Sequence, residues 1–513
     1  MKKTNGSGLS RAYRQLTTPK RDYKLVDSAV VAYCGFVMLV QILLQISPFM
    51  TFLATTPLYS IQTYLGLLGG ALIVVDFFTT KKIWQGKYSI LLYAILVLAA
   101  MASIRMISYG MKENLFKLCW AAVQFVLMYS CAYRMDSESV KKFIKVLFFT
   151  ILLIWFVGCC ISLYQYVNQI GYMYVVNPLA KDSSSNRQGF YDNRLFGIFY
   201  TLNHAAYISL LLILVAVAYF MWEKRWRVRV PLIVAMAVLL FHIILSGSRS
   251  AFVSLCATTA VITWFVVRNR IREKGLRCFA ISSVAAVLAA VICVLGFYGL
   301  KEGLSYVPYI KEKHAYQQNE ATVPTQNVMP ENTVVVPPVE QAPELNKDLL
   351  VRDDLEGDTS NGRISIWKDY VSLYSDIGLV GLSPGNYMPY ILENHPELYV
   401  VEYIRVNAPD KYESGIIHHV HSGYLMVYVS AGLLGLLCLA AFIVLCLIRV
   451  VGIIAKNKRL SCLFIGAFAL VLTGAIAAVF DEGLFFQNNP HTTLFWFALG
   501  IMLREDFARA DKV

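Results

Sequence analysis

Residues 422–447, SGYLMVYVSAGLLGLLCLAAFIVLCL, carry no charged side chain over 26 positions. An α-helix rises about 1.5 Å per residue, so about 20 such residues cross a hydrocarbon core of about 30 Å. Read outward from this run, further apolar stretches centre in 27–47, 59–79, 88–108, 115–134, 143–165, 198–221, 229–246, 250–267 and 278–299 before it, and in 460–480 and 489–503 after it. Backbone polar groups in lipid have to be satisfied within the segment, which requires helices here, because barrel strands are half as long and alternate. The expected fold class is all-α, a polytopic helical membrane protein of about twelve transmembrane helices. Composition agrees: 15% of the residues are charged, against about 25% in soluble domains.

The net charge of +13 could point to nucleic acid, anionic lipid or anionic substrate, and the placement of the charges decides. With the N-terminus inside, the inner segments hold 30 of the 46 Lys and Arg, the asymmetry that short cytoplasmic loops show. Both termini are therefore expected in the cytoplasm, with membrane lipids as neighbours. No nucleic-acid partner is expected, since the cations are scattered along one membrane face. The domain reading is a basic N-terminus (1–25), helices one to nine (26–300), an outer loop (301–420), helices ten to twelve (421–503) and a cytoplasmic tail (504–513). All eleven cysteines fall in or beside spans, so neither a disulfide framework nor a cysteine metal site is expected.

The outer loop is heterogeneous. Residues 319–345, NEATVPTQNVMPENTVVVPPVEQAPEL, are rich in Pro, Val, Glu and Gln without helical periodicity and read as a flexible insertion. Residues 362–378 place Ile364, Trp367, Tyr370, Val371 and Tyr374 at three- and four-residue spacings, which predicts an amphipathic helix ended by a Gly- and Pro-containing turn.

Charges inside spans are costly, so their positions carry information. The expectation is that they collect at the outer ends: Arg105 near the end of the third span, Arg194 and Asn203 beside the sixth, Arg249 in the turn SGSRS, Arg363 at the start of the loop helix, His421 before the tenth span, and Asp481 with Glu482 after the eleventh. The His418-His419-Val-His421 cluster has no cysteine nearby and no regularly spaced carboxylates, so no metal site is expected.

HSGYLMVYVSAGLLG (421–435) resembles the His-[Asn/Ser/Gln]-x9-Gly-x-x-[Gly/Thr/Tyr] signature of the bacterial O-antigen ligase and O-antigen polymerase superfamily. In order along the chain, RLFGIFYTLNHAAY (194–207), SGSRSAFVSL (246–255) and GRISIWKDYVSLYSDIGLVGLSPGNY (362–387) are similar to further segments of that family. Ser422 stands where Asn is commoner, Ser383 where the turn has Gly, and the insertion lengthens the loop.

The resemblance implies a membrane-glycosyltransferase (GT-C-like) bundle that moves a glycan from an undecaprenyl-diphosphate donor to a hydroxyl of a glycan, lipid or protein acceptor on the extracytoplasmic side, in surface polysaccharide biosynthesis. Arg249 and Arg363 would stabilise the departing diphosphate. His421 would take or position the acceptor proton. Arg194, Asn203, Asn386 and Arg105 are weaker substrate-binding candidates. The first outer loop, SPFMTFLATTP, has no acid to hold a metal, so metal-independent chemistry without a cofactor is expected. The rival from another class is a transporter or flippase for lipid-linked oligosaccharide, a class that often shows paired halves and midplane charges; neither is visible in the sequence. Ligase and polymerase stay equally open.

Overall fold

Among the described residues, ten helices are long and apolar enough to cross a membrane. The computed structural model describes residues 23–175, 185–271, 275–322, 349–350, 360 and 362–509. Nearly all of the basic N-terminus, most of the insertion at 319–345 and the last four residues of the tail lie outside them. In chain order the bundle comprises α1 (Lys24–Leu43), α2 (Pro57–Phe78), α3 (Ser89–Arg105), α4 (Lys112–Arg134), α5 (Ser137–Val167), α6 (Leu202–Trp222), α7 (Trp226–Ser246), α8 (Arg249–Arg270) and α9 (Leu276–Thr322). After the loop helices α10 (Arg363–Ser372), α11 (Tyr387–Asn394) and α12 (Tyr399–Asn407) come α13 (Gly423–Lys456), α14 (Cys462–Phe480) and α15 (Pro490–Met502).

Two of the twelve apolar runs form shorter helices, α3 with 17 residues and α15 with 13. All of α15 but Leu494 is buried. An apolar run of this length suits a core helix enclosed by others as well as a span, which is why run-counting gives twelve where ten meet the length.

The architecture is all-α with one addition. Strands β1 (Gly171–Val175), β2 (Ser185–Tyr191) and β3 (Arg194–Gly197) form an antiparallel sheet in that order between α5 and α6. Asp192 and Asn193 join β2 to β3 with φ of 47° and 55°, the paired left-handed geometry of a tight hairpin. The turn puts Arg194 at the first position of β3, opposite Tyr191.

Helix α9 continues to Thr322, past residue 300 where the outer loop was expected to begin. Its 47 residues span about 70 Å, far more than the hydrocarbon core. Hydropathy ends where the charged sequence from Lys301 begins, but Lys, Glu, Ala and Gln still favour helix. Tyr166 of α5 braces the extension by donating to the Leu304 carbonyl at 2.8 Å.

Loop helix α10 buries Ile366 and Tyr370, and the stripe continues through Leu373 and Ile377. Ile364, Val371 and Tyr374, expected on the apolar face, are instead exposed. The helix is apolar on two sides, and spacing alone does not say which side meets protein.

Charge is not confined to the ends that frame the loop. At the opposite end, Arg134 of α4 is fully buried between Asp27 of α1 at 3.1 Å and Asp76 of α2 at 2.6 Å, and Lys82 pairs with Asp27 at 2.6 Å. Two cations against two carboxylates make this cluster neutral, which lets it sit in the core.

The loop and the bundle interlock at Gly432. That residue interrupts α13 with φ 69° and ψ −168°, a conformation open only to glycine. The chain from Gly378 to Leu382 crosses there: Leu433 and Leu434 donate to the carbonyls of Gly378 and Leu379 at 3.1 and 3.2 Å, and Leu382 donates to Val429 at 2.7 Å. Backbone groups freed by the break are thus satisfied by the loop, as a span requires. A Cβ on Gly432 would lie 2.3 Å from the Leu379 carbonyl.

Candidate functional site

Three helices begin at one place. The first residues of α6, α8 and α10 line a single cavity of about 430 Å³, with Asn203 from α6, Arg249 and Ser250 from α8, and Arg363 and Ile364 from α10. Arg194 at the start of β3 and Phe480 at the end of α14 complete the wall. Val253 and Trp367 follow one turn inside α8 and α10.

This arrangement favours a polyanion. The first N–H groups of a helix lack partners within it, and the aligned peptide dipoles place about half a positive charge there. Thr201 and Ser248, which cap α6 and α8, make no side-chain capping bond. Three of the described lining residues are arginines and none is an acid. Guanidinium groups pair bidentately with phosphate oxygens, so a diphosphate fits this chemistry.

Local sequence explains how Arg249 arrives there. Gly247 ends α7 with φ 63°, reversing the chain within Ser246-Gly247-Ser248 so that α8 begins at once. Arg194 binds this turn, its Nε donating to the Ser246 carbonyl at 3.0 Å.

His421 is not among the residues that line the cavity. Its φ of 49° lies in the left-handed region that few residues other than glycine adopt. The strand of chain before it is fixed: Tyr370 donates to the His418 carbonyl at 2.6 Å, and the His418 N–H donates to Val400 at 2.9 Å. Burial pushes the His421 pKa below its ordinary 6.5; Glu482 opposes this, and His419 and Arg363 reinforce it. Arg363 therefore couples the imidazole to the cavity electrostatically.

Residues 234–440 match the sequence model of a family described as O-antigen ligase. This part of the chain is similar to the O-antigen ligase family. No curated protein matches the chain. The matched stretch contains Arg249, Arg363, Asn386, His421 and Gly432, whereas Arg105, Arg194 and Asn203 lie before it and Asp481 after it. The match supports an O-antigen ligase- or polymerase-type membrane enzyme, and the cavity joins side chains from inside and outside the matched stretch.

Arg105 and Asn386 are placed differently from the other candidates. Arg105 donates to the carbonyls of Asp376, at 3.3 Å, and Gly381. Asn386 donates to Met106 at 2.8 Å and Gly110 at 2.7 Å. These bonds staple the loop of the matched stretch to the end of α3, and neither residue lines the cavity.

Two imidazole–carboxylate pairs flank the site. His204 Nε2 lies 3.4 Å from Asp481 and His419 Nδ1 lies 2.8 Å from Glu482. Burial acts to raise the Asp481 pKa, but the bond from His204 and the nearby histidines hold it well below the usual carboxylate range. Glu482 raises the His419 pKa, whereas burial and the neighbouring histidines push His418 down to about 4. His491, 5.0 Å from His204 between ring centres, extends this cluster. Adjacent acids after a span read as turn-solvating groups, and His491 sits in a run that reads only as apolar, so the sequence marks neither as partners. Among the described residues no three His, Cys, Asp or Glu side chains are arranged to hold a metal ion.

Proposed function

We propose that the chain is a metal-independent glycosyltransferase that takes a glycan from undecaprenyl diphosphate and passes it to an acceptor hydroxyl on the extracytoplasmic face of the bacterial inner membrane, with both termini cytoplasmic. The single observation that carries the reading is the shared cavity: Arg249 and Arg363 at two helix starts and Arg194 at the start of β3 line it, and the His421 imidazole lies within electrostatic reach of Arg363. Val253 and Ile364 on its wall are about half exposed, at 45% and 53%, which gives a polyprenyl chain an apolar approach.

In the proposed step the acceptor oxygen bonds to the anomeric carbon as its bond to the diphosphate oxygen breaks. The acceptor proton passes to His421, and the electron pair of the broken bond leaves on the diphosphate, held by Arg249 and Arg363. Stabilising such an oxyanion with fixed donors is worth about 10²–10³ in rate per donor, and general-base catalysis about 10²–10⁴.

Purified protein supplied with lipid-linked oligosaccharide and acceptor tests this. His421→Ala should lower transfer by about 10²–10⁴ and Arg249→Lys by at least about tenfold, each with unchanged membrane insertion. A chelator should leave the rate unchanged. Loss of activity on chelation with recovery on adding a divalent cation would reject metal independence, and full transfer by His421→Ala would reject the base. Ligase and polymerase share this donor chemistry. In a deletion strain, accumulated single undecaprenyl-linked units indicate a polymerase and long undecaprenyl-linked chains a ligase.

A further inference from the structure

At the end of the bundle opposite the arginine cavity, a second cavity of about 400 Å³ opens between α5, α6, the start of α14 and the C-terminal segment. Its charged lining comprises Lys141, Lys145, Lys224 and Arg509 against one carboxylate, Asp506, which Arg504 pairs. Lys141 also lies 3.1 Å from Glu138 and 6.0 Å from the centre of the Trp222 ring. Arg509 is held in position because Leu460 bridges to it and the Ser461 N–H donates to Ala508 at 3.0 Å.

This cationic cavity continues into an apolar cleft of about 110 Å³ between α5, α6, α14 and α15. Ile144, Phe148, Val215, Ala218, Cys462 and Leu463 line both. On α5 the sequence from head to cleft is Lys141, Ile144, Phe148 and Ile151, one helix face descending about 15 Å. Leu211, Val215, Ala218 and Trp222 form the matching face of α6, with the aromatic ring at the charged end. Trp at an interface next to Lys and Arg, above an apolar slot between helices, is the arrangement that holds a lipid by both of its ends.

We propose that this groove binds one anionic phospholipid, its phosphate among Lys141, Lys145, Lys224 and Arg509 and an acyl chain in the cleft. A zwitterionic lipid would fill the apolar part equally but would bring a second cation to a ring of four. The site is separate from the arginine cavity and does not depend on the chemistry there.

The test uses the full-length protein in nonionic detergent, mixed with equal amounts of phosphatidylglycerol and phosphatidylcholine, with retained lipid counted by native mass spectrometry. Wild type should retain phosphatidylglycerol about tenfold over phosphatidylcholine, and Lys145→Gln with Lys224→Gln, both exposed positions, should bring the ratio near unity. Val215→Phe, which fills the cleft, should lower retention of both lipids. Equal retention of the two lipids by wild type, or an undiminished preference in the double variant, overturns the proposal. Displacement of phosphatidylglycerol by a polyprenyl phosphate at equal concentration overturns the choice of a phospholipid.

Discussion

The imidazole of His421 has to be neutral to accept a proton, and burial with the nearby Arg363 keeps its pKa below 6.5. A base with a depressed pKa is competent above that value and is lost only as pH falls through it. The transfer rate should therefore be level at pH 7 and above and decline on an acid limb centred below 6.5, read from kcat/KM against pH. A limb centred above 6.5 would contradict the role. Ser383 shows a different residue-scale effect. It occupies φ 76°, and its Oγ accepts from the Asn386 N–H at 3.1 Å. Strain of about 1–3 kcal/mol is offset by a hydrogen bond worth about 1 kcal/mol. Ser383→Gly relieves the strain and loses the bond, so it should range from neutral to about 2 kcal/mol more stable than wild type. Ser383→Ala keeps the strain and loses the bond, so it should melt earlier in detergent, by about 1 kcal/mol. The residue types at the site were legible because Arg and His in or beside apolar runs stand out; the pairings His204–Asp481 and His419–Glu482 were not, since each joins segments far apart in the chain.

At the scale of elements, the break in α13 is where the second half of the His-Ser-x9-Gly segment has its physical meaning. Gly432 lets the Gly378–Leu382 backbone pass in contact with a span while the hydrogen bonds of both are kept. Gly432→Ala would add a strained φ and a Cβ 2.3 Å from the Leu379 carbonyl. A loss of at least about 3 kcal/mol follows, and the variant should show reduced folded yield in membranes and a lowered melting temperature. Wild-type melting of that variant would show that the crossing is not obligatory. Helix lengths were readable from hydropathy where the apolar run and the helix end together. They were not readable for α9, whose polar extension remains helical, nor for the β2–β3 hairpin, where the Asp192-Asn193 pair is the one local signal.

For the molecule as a whole, the neutral cluster of Asp27, Asp76, Lys82 and Arg134 ties α1, α2 and α4 together at the end remote from the arginine cavity. Arg134→Met leaves Asp76 buried without its cation and should cost about 3–5 kcal/mol, measured by melting in detergent. Combining it with Asp76→Leu removes the stranded charge while Lys82 still pairs with Asp27, but takes the acceptor from the Thr80 hydroxyl and the Ile83 N–H, so the double variant should recover part of that loss. Additive losses would argue that the cluster acts through packing alone. The same scale separates what the chain states from what folding adds. Apolar length and the requirement that backbone groups be satisfied in lipid make the helical bundle a property of sequence, because each span solves that problem within itself. Which residues share a cavity is a property of packing. Arg194, Asn203, Arg249 and Arg363 reach one site only because a hairpin, a glycine-ended helix and a loop threaded over Gly432 bring their starting points together. No periodicity within a single helix encodes the contact between two of them, since that contact depends on side chains contributed by both.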